Sequence, residues 1–510
     1  MGVSDTDFVV VGSGPNGLVA ACVLAQKGFR VQVLESHPQH PGGAVWSEQT
    51  TLPGFVHDVG AAFFTFGRVS PAFRHLDLEG NGLVWRDARF ESCHPAPDGS
   101  FACISRGPND DPGHFGSARD AAVWRDLVAW HRRIEPDFLG ALLQPIPAIG
   151  PALRLLPLDL LRLARIMTSS GRALACRLFE SEAARRVLPG LSLHVDAGPD
   201  DRFGAGIGYV LGLVATTSGY AVPEGGARRI TETLVRILEG QGGTLRLGTR
   251  VERIVVRDGR ARAVRTADGE EFECTRGVLA DTAAPSLLLD LVEKQHVPAR
   301  VVRAMRRFPW GWGTFKIDWA LSGPVPWTVA EARQSAVVHA GDSLDDLSRF
   351  TREVRAGRLP ENPYLVIGQQ SVADPSRAPD GQHTLWAYSR VPPRPDGGWE
   401  QVKEGFADRV DARIETLAPG FRKLILARRV TTPADLEAED ANLVGGDLGG
   451  GSNAWNRQLI FRPVFPYFRY KTPVRGLYLC SSYAHPGAGV HGMCGYNAAH
   501  IAIKDVRGQT

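Results

Sequence analysis

"DFVVVGSGPNGLVAACVLAQKGFRVQVLES", residues 7–36, decides the fold. Phe8 to Val11 form a continuous apolar run, as expected of a strand buried on both faces. Gly12, Gly14 and Gly17 follow in GxGxxG spacing. The first glycine permits a tight turn, the second lets backbone approach a pyrophosphate, and the third lets a helix pack on the strand. The spacing predicts a helix from Pro15 to about Lys27, whose first N–H groups, around Pro15 and Asn16, face a phosphate. Gly28 stops that helix. "RVQVLE" reads as a second strand ending in Glu35, with Ser36 beside it, where a carboxylate can bind ribose hydroxyls. A GxGxxG alone is weak evidence. Placed between a strand and a helix, with an acid at this distance, it predicts a dinucleotide site.

The rest of the composition excludes several alternatives. With 510 residues the chain is too long for one simple core and predicts more than one domain. Hydrophobic residues make up 43% and charged residues 22%, ordinary for a soluble globular protein. The net charge of +3 is spread along the chain, with no basic run to track nucleic acid. Seven scattered cysteines without a CxxC argue against a disulfide framework or a zinc site, so no metal is expected and a reducing, cytoplasmic setting fits. The start has no basic n-region or cleavage site. Gly2 matches the N-myristoylation pattern, read as chance because the first core strand begins a few residues later. No run of eighteen apolar residues exists to span a bilayer.

Further along, "ESCHPAPDGSFACIS" reads as a hairpin turning at Asp98-Gly99. "FLGALLQPIPAIGPALRLLPLDLLRLARIM" reads as short proline-separated helices with apolar residues on several faces. That pattern suits plain core, the wall of an apolar pocket, or a membrane-docking patch rimmed by arginine. From residue 220, "AVPEGGARRITETLVRILEGQGG" predicts an amphipathic helix with Ile230, Leu234 and Leu238 on one face. Hairpins at Asp258-Gly259 and Asp268-Gly269 follow, then a buried strand in "RGVLAD". "PWGWGTFKIDWALSGPVPW" alternates like a sheet strand, and "QQSVADPSRAPDGQHTLWAYSR" reads as two strands around a turn. Near the end, "HPGAGVHGMCGYNAAH" holds four glycines and no acid, lysine or arginine, and runs into a helix. Gly487, Gly489, Gly492 and Gly495 are read as letting this turn approach a ligand closely. The helix start then aims its positive dipole end at that ligand.

These stretches carry a resemblance that runs nearly end to end. It rests on "VVVGSGPNGLVAACVLA" with "PGGAV", "PEGGARRITETL", "FKIDWALSGPVPW", "DPSRAPDGQHTLW" and "GLYLCSSYAHPGAGVHGMCGYNAAH". The chain resembles the phytoene desaturase and carotenoid isomerase superfamily of FAD-dependent oxidoreductases. Within it, the chain looks most like the branch of pyridine nucleotide-disulfide oxidoreductase domain-containing protein 2. The resemblance implies an α/β fold, with a discontinuous glutathione-reductase-type FAD domain and a substrate domain of mixed sheet and helices. It divides the chain into FAD-binding parts 1–75, 216–290 and 445–510, with substrate or lid parts 76–215 and 291–444. It also implies FAD rather than NAD, because a second glycine turn, Gly42-Gly43-Ala44-Val45, follows the second strand directly and contacts pyrophosphate and ribityl chain. By the same resemblance Asp58 and Gly60 lie near the flavin and the backbone of Val251 beside the adenine. Gly489, Val490, Gly492 and Met493 lie against the reactive ring.

The implied chemistry is hydride transfer from an apolar small molecule to flavin N5, with oxygen or a quinone as electron acceptor. Lys316 is a catalytic candidate, by resemblance to the lysine of flavin amine oxidases, with a salt bridge to Asp318 as the plainer reading. His485 and His491 flank the closing loop and are candidates to meet the flavin edge or the substrate, against backbone capping. Cys494 is read as small-residue packing. Rival readings are a redox-neutral isomerase using reduced FAD, an amine oxidase, and a non-enzymatic FAD-stabilised binding protein. Peripheral membrane contact and a homo-oligomer are compatible with all of them.

Overall fold

The structure is a computed structural model and describes residues 6–106 and 114–508. Gly2 lies outside the described residues.

Phe8–Val11 forms a strand with all four residues buried. It sits at the centre of a five-stranded parallel sheet. The order across that sheet is Leu477–Leu479, Gly277–Ala280, Phe8–Val11, Val31–Leu34 and Thr244–Arg246. Its strands therefore come from stretches separated by hundreds of residues. Apolar runs such as "FVVV" and "GVLA" have no polar face to offer water, so they fold only where both sides of the sheet are covered. One cover is the helix Pro15–Gln26, another the closing helix Met493–Arg507, and a third Arg228–Gly240. The last buries Ile230, Leu234 and Leu238, the stripe read from the sequence.

The second body is a seven-stranded mixed sheet. Gly313–Leu321, nine residues long and buried throughout, pairs antiparallel with His383–Val391 on one side and Ile425–Thr431 on the other. Leu365–Gly368, Ser335–Ala340, Phe90–Cys93 and Cys103–Ile104 complete it, the Ser335–Ala340 and Phe90–Cys93 pair running parallel. Phe315, Ile317, Trp319 and Leu321 point into a separate apolar core with Trp399, Phe406 and Ile414 of the helix Trp399–Leu417. Lys316 and Asp318 point the other way, as strand alternation requires.

The hairpins at 98–99 and 258–259 form as expected, the second with positive φ at both Asp258 (53°) and Gly259 (69°). One reading is corrected. Of the two strands expected in 369–390, only His383–Val391 is a strand, while Gln370–Ala373 is a helical turn. Asp374 there accepts from the Gly225 N–H and pairs with Arg377, so the segment curls onto a neighbour instead of adding to the sheet.

The two glycine loops meet through their helices. A Cβ on Gly495 would lie 1.8 Å from the Asn16 carbonyl oxygen, so the closing helix rests on the first helix backbone to backbone. A Cβ on Gly492, the N-cap at φ 66°, would meet Val19 at 2.7 Å. This sharpens the reading of the closing glycines: Gly492 and Gly495 are small in order to admit the first helix. Gly495→Ala is expected to destabilise the protein by about 3 kcal/mol, the scale of overpacking a tight contact. Gly240→Ala, where no atom lies within 4 Å of the added carbon, should be neutral in the same urea titration.

Candidate functional site: a dinucleotide cradle under a polar sheet face

The cradle assembles around Gly12–Gly17. Gly12 has φ 92°, and a Cβ there would be 2.8 Å from the Asp281 carbonyl oxygen. A Cβ on Gly17 would be 2.4 Å from the Gly12 carbonyl oxygen, the close helix–strand packing the motif predicts. Gly14 is the N-cap of Pro15–Gln26 and has no side chain to cap it. Asn16 is buried, with its side-chain oxygen unpartnered.

Glu35 ends the second strand and reaches back to this loop. One carboxylate oxygen accepts from the Ser13 N–H at 2.8 Å and hydroxyl at 2.6 Å. The other accepts from the His37 N–H and the Ser36 hydroxyl. The Gly42 N–H donates to the Ser13 carbonyl at 3.1 Å, which sets the second glycine turn against the first. Gly42 and Gly43 have φ of 106° and 52°. The Ala44 carbonyl accepts from the Ala61 N–H, and a Cβ on Gly60 would be 2.5 Å from that carbonyl oxygen. The Val45 carbonyl accepts from the Thr231 hydroxyl. Val251 is buried at the start of its strand, two residues beyond Thr249, whose N–H donates to the Glu35 carbonyl at 2.7 Å. Residues from four distant stretches thus line one groove.

Asp58 is placed differently from the expectation. Its carboxylate is fully used by protein. One oxygen accepts from the Ser47 hydroxyl and the Ala227 N–H, and the other pairs with Arg377 at 3.0 Å. Arg377, fully buried, also pairs with Asp374 at 2.8 Å. Asp58 therefore ties the glycine turn to the larger sheet, and its contribution to the cradle is to position Gly60. Arg377 was not singled out from sequence. Its signal was an arginine inside "DPSRAPDGQ", a stretch with the look of a surface turn.

Two further carboxylates were missed. The Asp281 carboxylate accepts from the Gly17 N–H at 2.8 Å and lies where a side chain on Gly14 would go. Asp440 stands 2.9 Å from where a Cβ on Gly43 would be. Burial pushes Asp281 up to about 7 and Asp440 up to about 6. An acid at the carboxyl end of a parallel strand, as in "RGVLAD", was the available signal, since ligands bind at that edge. The donors here fit a dinucleotide pyrophosphate: they form an uncapped helix N-terminus whose N–H already holds an anion, Asp281, in a space only glycine leaves open.

The closing loop lies beside this groove. The His485 Nε2–H donates to the Gln144 carbonyl at 3.0 Å, and burial lowers this histidine to about 4. His491 Nδ1 accepts from the Met493 N–H at 3.0 Å, and its own carbonyl accepts from the Ser70 hydroxyl. Burial lowers His491 to about 3 and keeps it neutral, and its Nε2 has no partner. Both histidines thus make loop-shaping contacts, with one imidazole edge of His491 left over. Gly489 is exposed at φ 115°, Val490 is half-buried and Met493 buried in the first turn of the helix. Cys494 is buried with its thiol pushed up to about 12, which suits packing.

Lys316 donates from Nζ to Asp318, whose other oxygen is 3.5 Å from His57 Nδ1. Burial lowers His57 to about 4, so it is neutral. The lysine's charge is thereby matched within its own strand.

A family model for an NAD(P)-binding Rossmann-like domain matches residues 10–76. The chain is 28% identical to pyridine nucleotide-disulfide oxidoreductase domain-containing protein 2 of Mus musculus, over 98% of this chain and 94% of that protein. It is 23% identical to one of the limonene dehydrogenase polypeptides of Castellaniella defragrans, over 99% and 95% of the two chains. It is 26% identical to a neurosporene-forming phytoene desaturase of Cereibacter sphaeroides, over 98% and 95%. Among solved structures, an oxidoreductase from Methanosarcina mazei superposes with a TM-score of 0.65 at 17% identity, covering 98% of this chain and all of that one. Putrescine oxidase bound to putrescine superposes at 0.61 and 16%, covering 98% and 99%. With the cradle, these end-to-end matches make the chain similar to the FAD-dependent oxidoreductase superfamily that includes the phytoene desaturases. Within it, the chain is similar to the pyridine nucleotide-disulfide oxidoreductase domain-containing protein 2 branch, although all seven of its cysteines are free.

The two raised carboxyls predict a pH dependence. Below about pH 6 both Asp281 and Asp440 are protonated; above about pH 7 both are ionised and face the pyrophosphate as like charges. FAD affinity of the apoprotein, read by quenching of FAD fluorescence, is expected to fall about tenfold or more between pH 5.5 and 8. Asp440→Asn should tighten binding at pH 8 and flatten the profile.

Proposed function

We propose that this oxidoreductase takes hydride from an apolar, polyene-like or terpene-like small molecule. The observation that carries the proposal is the meeting of two glycine loops through their helices, with the segment after the second glycine turn packed on the larger sheet through His57–Asp318 and Phe63–Trp386. End-to-end similarity to a limonene dehydrogenase polypeptide and a phytoene desaturase supports the substrate class.

FAD, when bound, supplies the hydride acceptor. The chain's own work is binding, orientation and exclusion of water. Gly12–Gly17 and Gly42–Val45 hold the phosphates. Glu35, already aligned by Ser13 and His37, takes the ribose, and Val251 lies along the adenosine end. The closing helix, starting at Met493, would present its positive end to the ring and would favour negative charge there. Neutral His57, His485 and His491 and the matched Lys316–Asp318 pair leave little net charge near the reacting carbon. A bond without an acidic proton needs no general base there; it needs proximity and a dry wall.

An apolar substrate also needs a route from a membrane. Leu153 (78% exposed) and Leu158 (79%) stand on the short helices Ile149–Arg154 and Pro157–Thr168. Trp455, Leu459, Phe461 and Phe465 are exposed on a neighbouring segment. The two regions adjoin: Phe203, just before the helix Gly204–Ser218, stacks on Trp455 at 5.4 Å, and Arg469 donates to the Ile146 carbonyl. Arg154, Arg162, Arg165, Arg457 and Arg469 are exposed around this surface, whereas Asp159 is turned inward onto Trp130 and Arg133. The surface suits peripheral docking on an anionic bilayer. Among the described residues no helix is long and apolar enough to cross one.

Anaerobic mixing of FAD-loaded protein with polyenes, terpenes and amines tests the function. Loss of flavin absorbance near 450 nm, a wavelength set by the flavin itself, is expected with a polyene or terpene. Bleaching by amines alone would replace this reading with an amine oxidase, the activity that Lys316→Met would then slow. For docking, flotation with phosphatidylglycerol-containing vesicles should recover the protein. Leu158→Glu with Phe465→Glu should abolish recovery without lowering the melting temperature, because both side chains are already in water.

A further inference from the structure

The inner face of the larger sheet is polar, and one charge on it is unmatched. Register places Tyr388 opposite Lys316 and Arg390 opposite Thr314 on this face. Val366 follows beside Tyr388, and His339 beside Val366. Phe63, three residues past Gly60, packs on Trp386 of the same face, with ring centroids 5.9 Å apart. His194 closes over it, 2.8 Å from His339 Nε2 and edge-on to Tyr388.

Five arginines are buried among the described residues, and one of them, Arg413, pairs with Asp342. Arg377 faces two carboxylates. Arg186 is caged by the carbonyls of His94, Ser100 and Asp342 and the Ser100 hydroxyl. Arg462 is caged by the carbonyls of Gly449, Gly450 and Ser482. Arg390, 4% exposed, has only the Thr314 hydroxyl at 2.6 Å, the His194 carbonyl, and the face of Tyr388 at 5.1 Å. Its Nε has no partner, and among the described residues no carboxylate pairs with it. Two strands away, beyond His194, His339 Nδ1 is also buried and unpartnered. The other cation on this face, Lys316, is already neutralised by Asp318.

A guanidinium withdrawn from water without a counter-charge is costly to the fold, and it is retained where an incoming anion supplies that charge. We propose that Arg390 binds an anionic group, a carboxylate, at one end of the substrate. The planar fork suits a carboxylate in two-point contact. The substrate is then amphipathic, with its body along Tyr388 and Trp386 and its head at Arg390. This rests on the reading of the inner sheet face as the substrate wall.

Isothermal titration calorimetry of the FAD-loaded full chain with two matched pairs tests it: decanoate against 1-decanol, and benzoate against benzyl alcohol. The carboxylate of a pair is expected to bind about tenfold or more tightly than its alcohol, the scale of a charge-assisted hydrogen bond. That preference should collapse in Arg390→Met and be partly kept in Arg390→Lys. Equal binding of decanoate and decanol by the wild type overturns the inference while leaving the apolar-substrate reading intact. Arg390-dependent binding of benzoate with no binding of either decyl probe supports the inference and counts against that reading. Failure of both carboxylates to bind, or a preference that survives Arg390→Met, overturns it. If neither variant folds, the wild-type comparison decides alone.

Discussion

Everything in the cradle depends on one contact between backbones: the closing helix meeting the first helix where Gly495 faces the Asn16 carbonyl. The first loop follows strand Phe8–Val11 and the last follows strand Leu477–Leu479, so the two start on different strands of one parallel sheet. Parallel strands put both loops at the same edge. Only a contact without side chains brings the helices behind them close enough for the loops to border one groove. Any Cβ at Gly495 would push the closing loop, with His491 and Met493, away from Gly12–Gly17.

Electrostatics around that groove follows from burial. Three carboxylates, Glu35, Asp281 and Asp440, stand near glycine turns built to hold phosphate. Glu35 spends its charge on Ser13 and His37. Asp281 and Asp440 have fewer partners and are pushed toward the neutral form. On the opposite wall the histidines are neutral, Lys316 is paired, and Arg390 is left as a lone cation. Arg377 and its two aspartates then fix the distance between the walls, because a buried pair broken on one side strands a charge at a cost of about 3–5 kcal/mol.

Much of this was legible in advance, for identifiable reasons. The first strand, helix and acid were readable because each glycine answers a local steric need and each apolar run matches a period. Asp258-Gly259 and Asp98-Gly99 were readable because their turn chemistry is local. The Gln370–Ala373 turn was misread as strand because its apolar residues carry no period, and the contact that curls the segment comes from Gly225, well over a hundred residues away. Asp58 was readable as special, though its partner Arg377 was not. Asp281 had its place at a strand's carboxyl end to announce it, while Asp440 and Arg390 had only their residue types.

The sequence by itself determined the nucleotide half of the protein. GxGxxG, the acid at the end of the second strand and the second glycine turn are short-range patterns, and the backbone chemistry they demand is the same wherever they fold. Only the tertiary structure decided which charges survive near the ligand. Whether a carboxylate is paired, capped or stranded depends on neighbours brought from other stretches of chain, and burial sets the value of each such pairing. The lone guanidinium of Arg390 and the two raised carboxyls are visible only once those neighbours are in place.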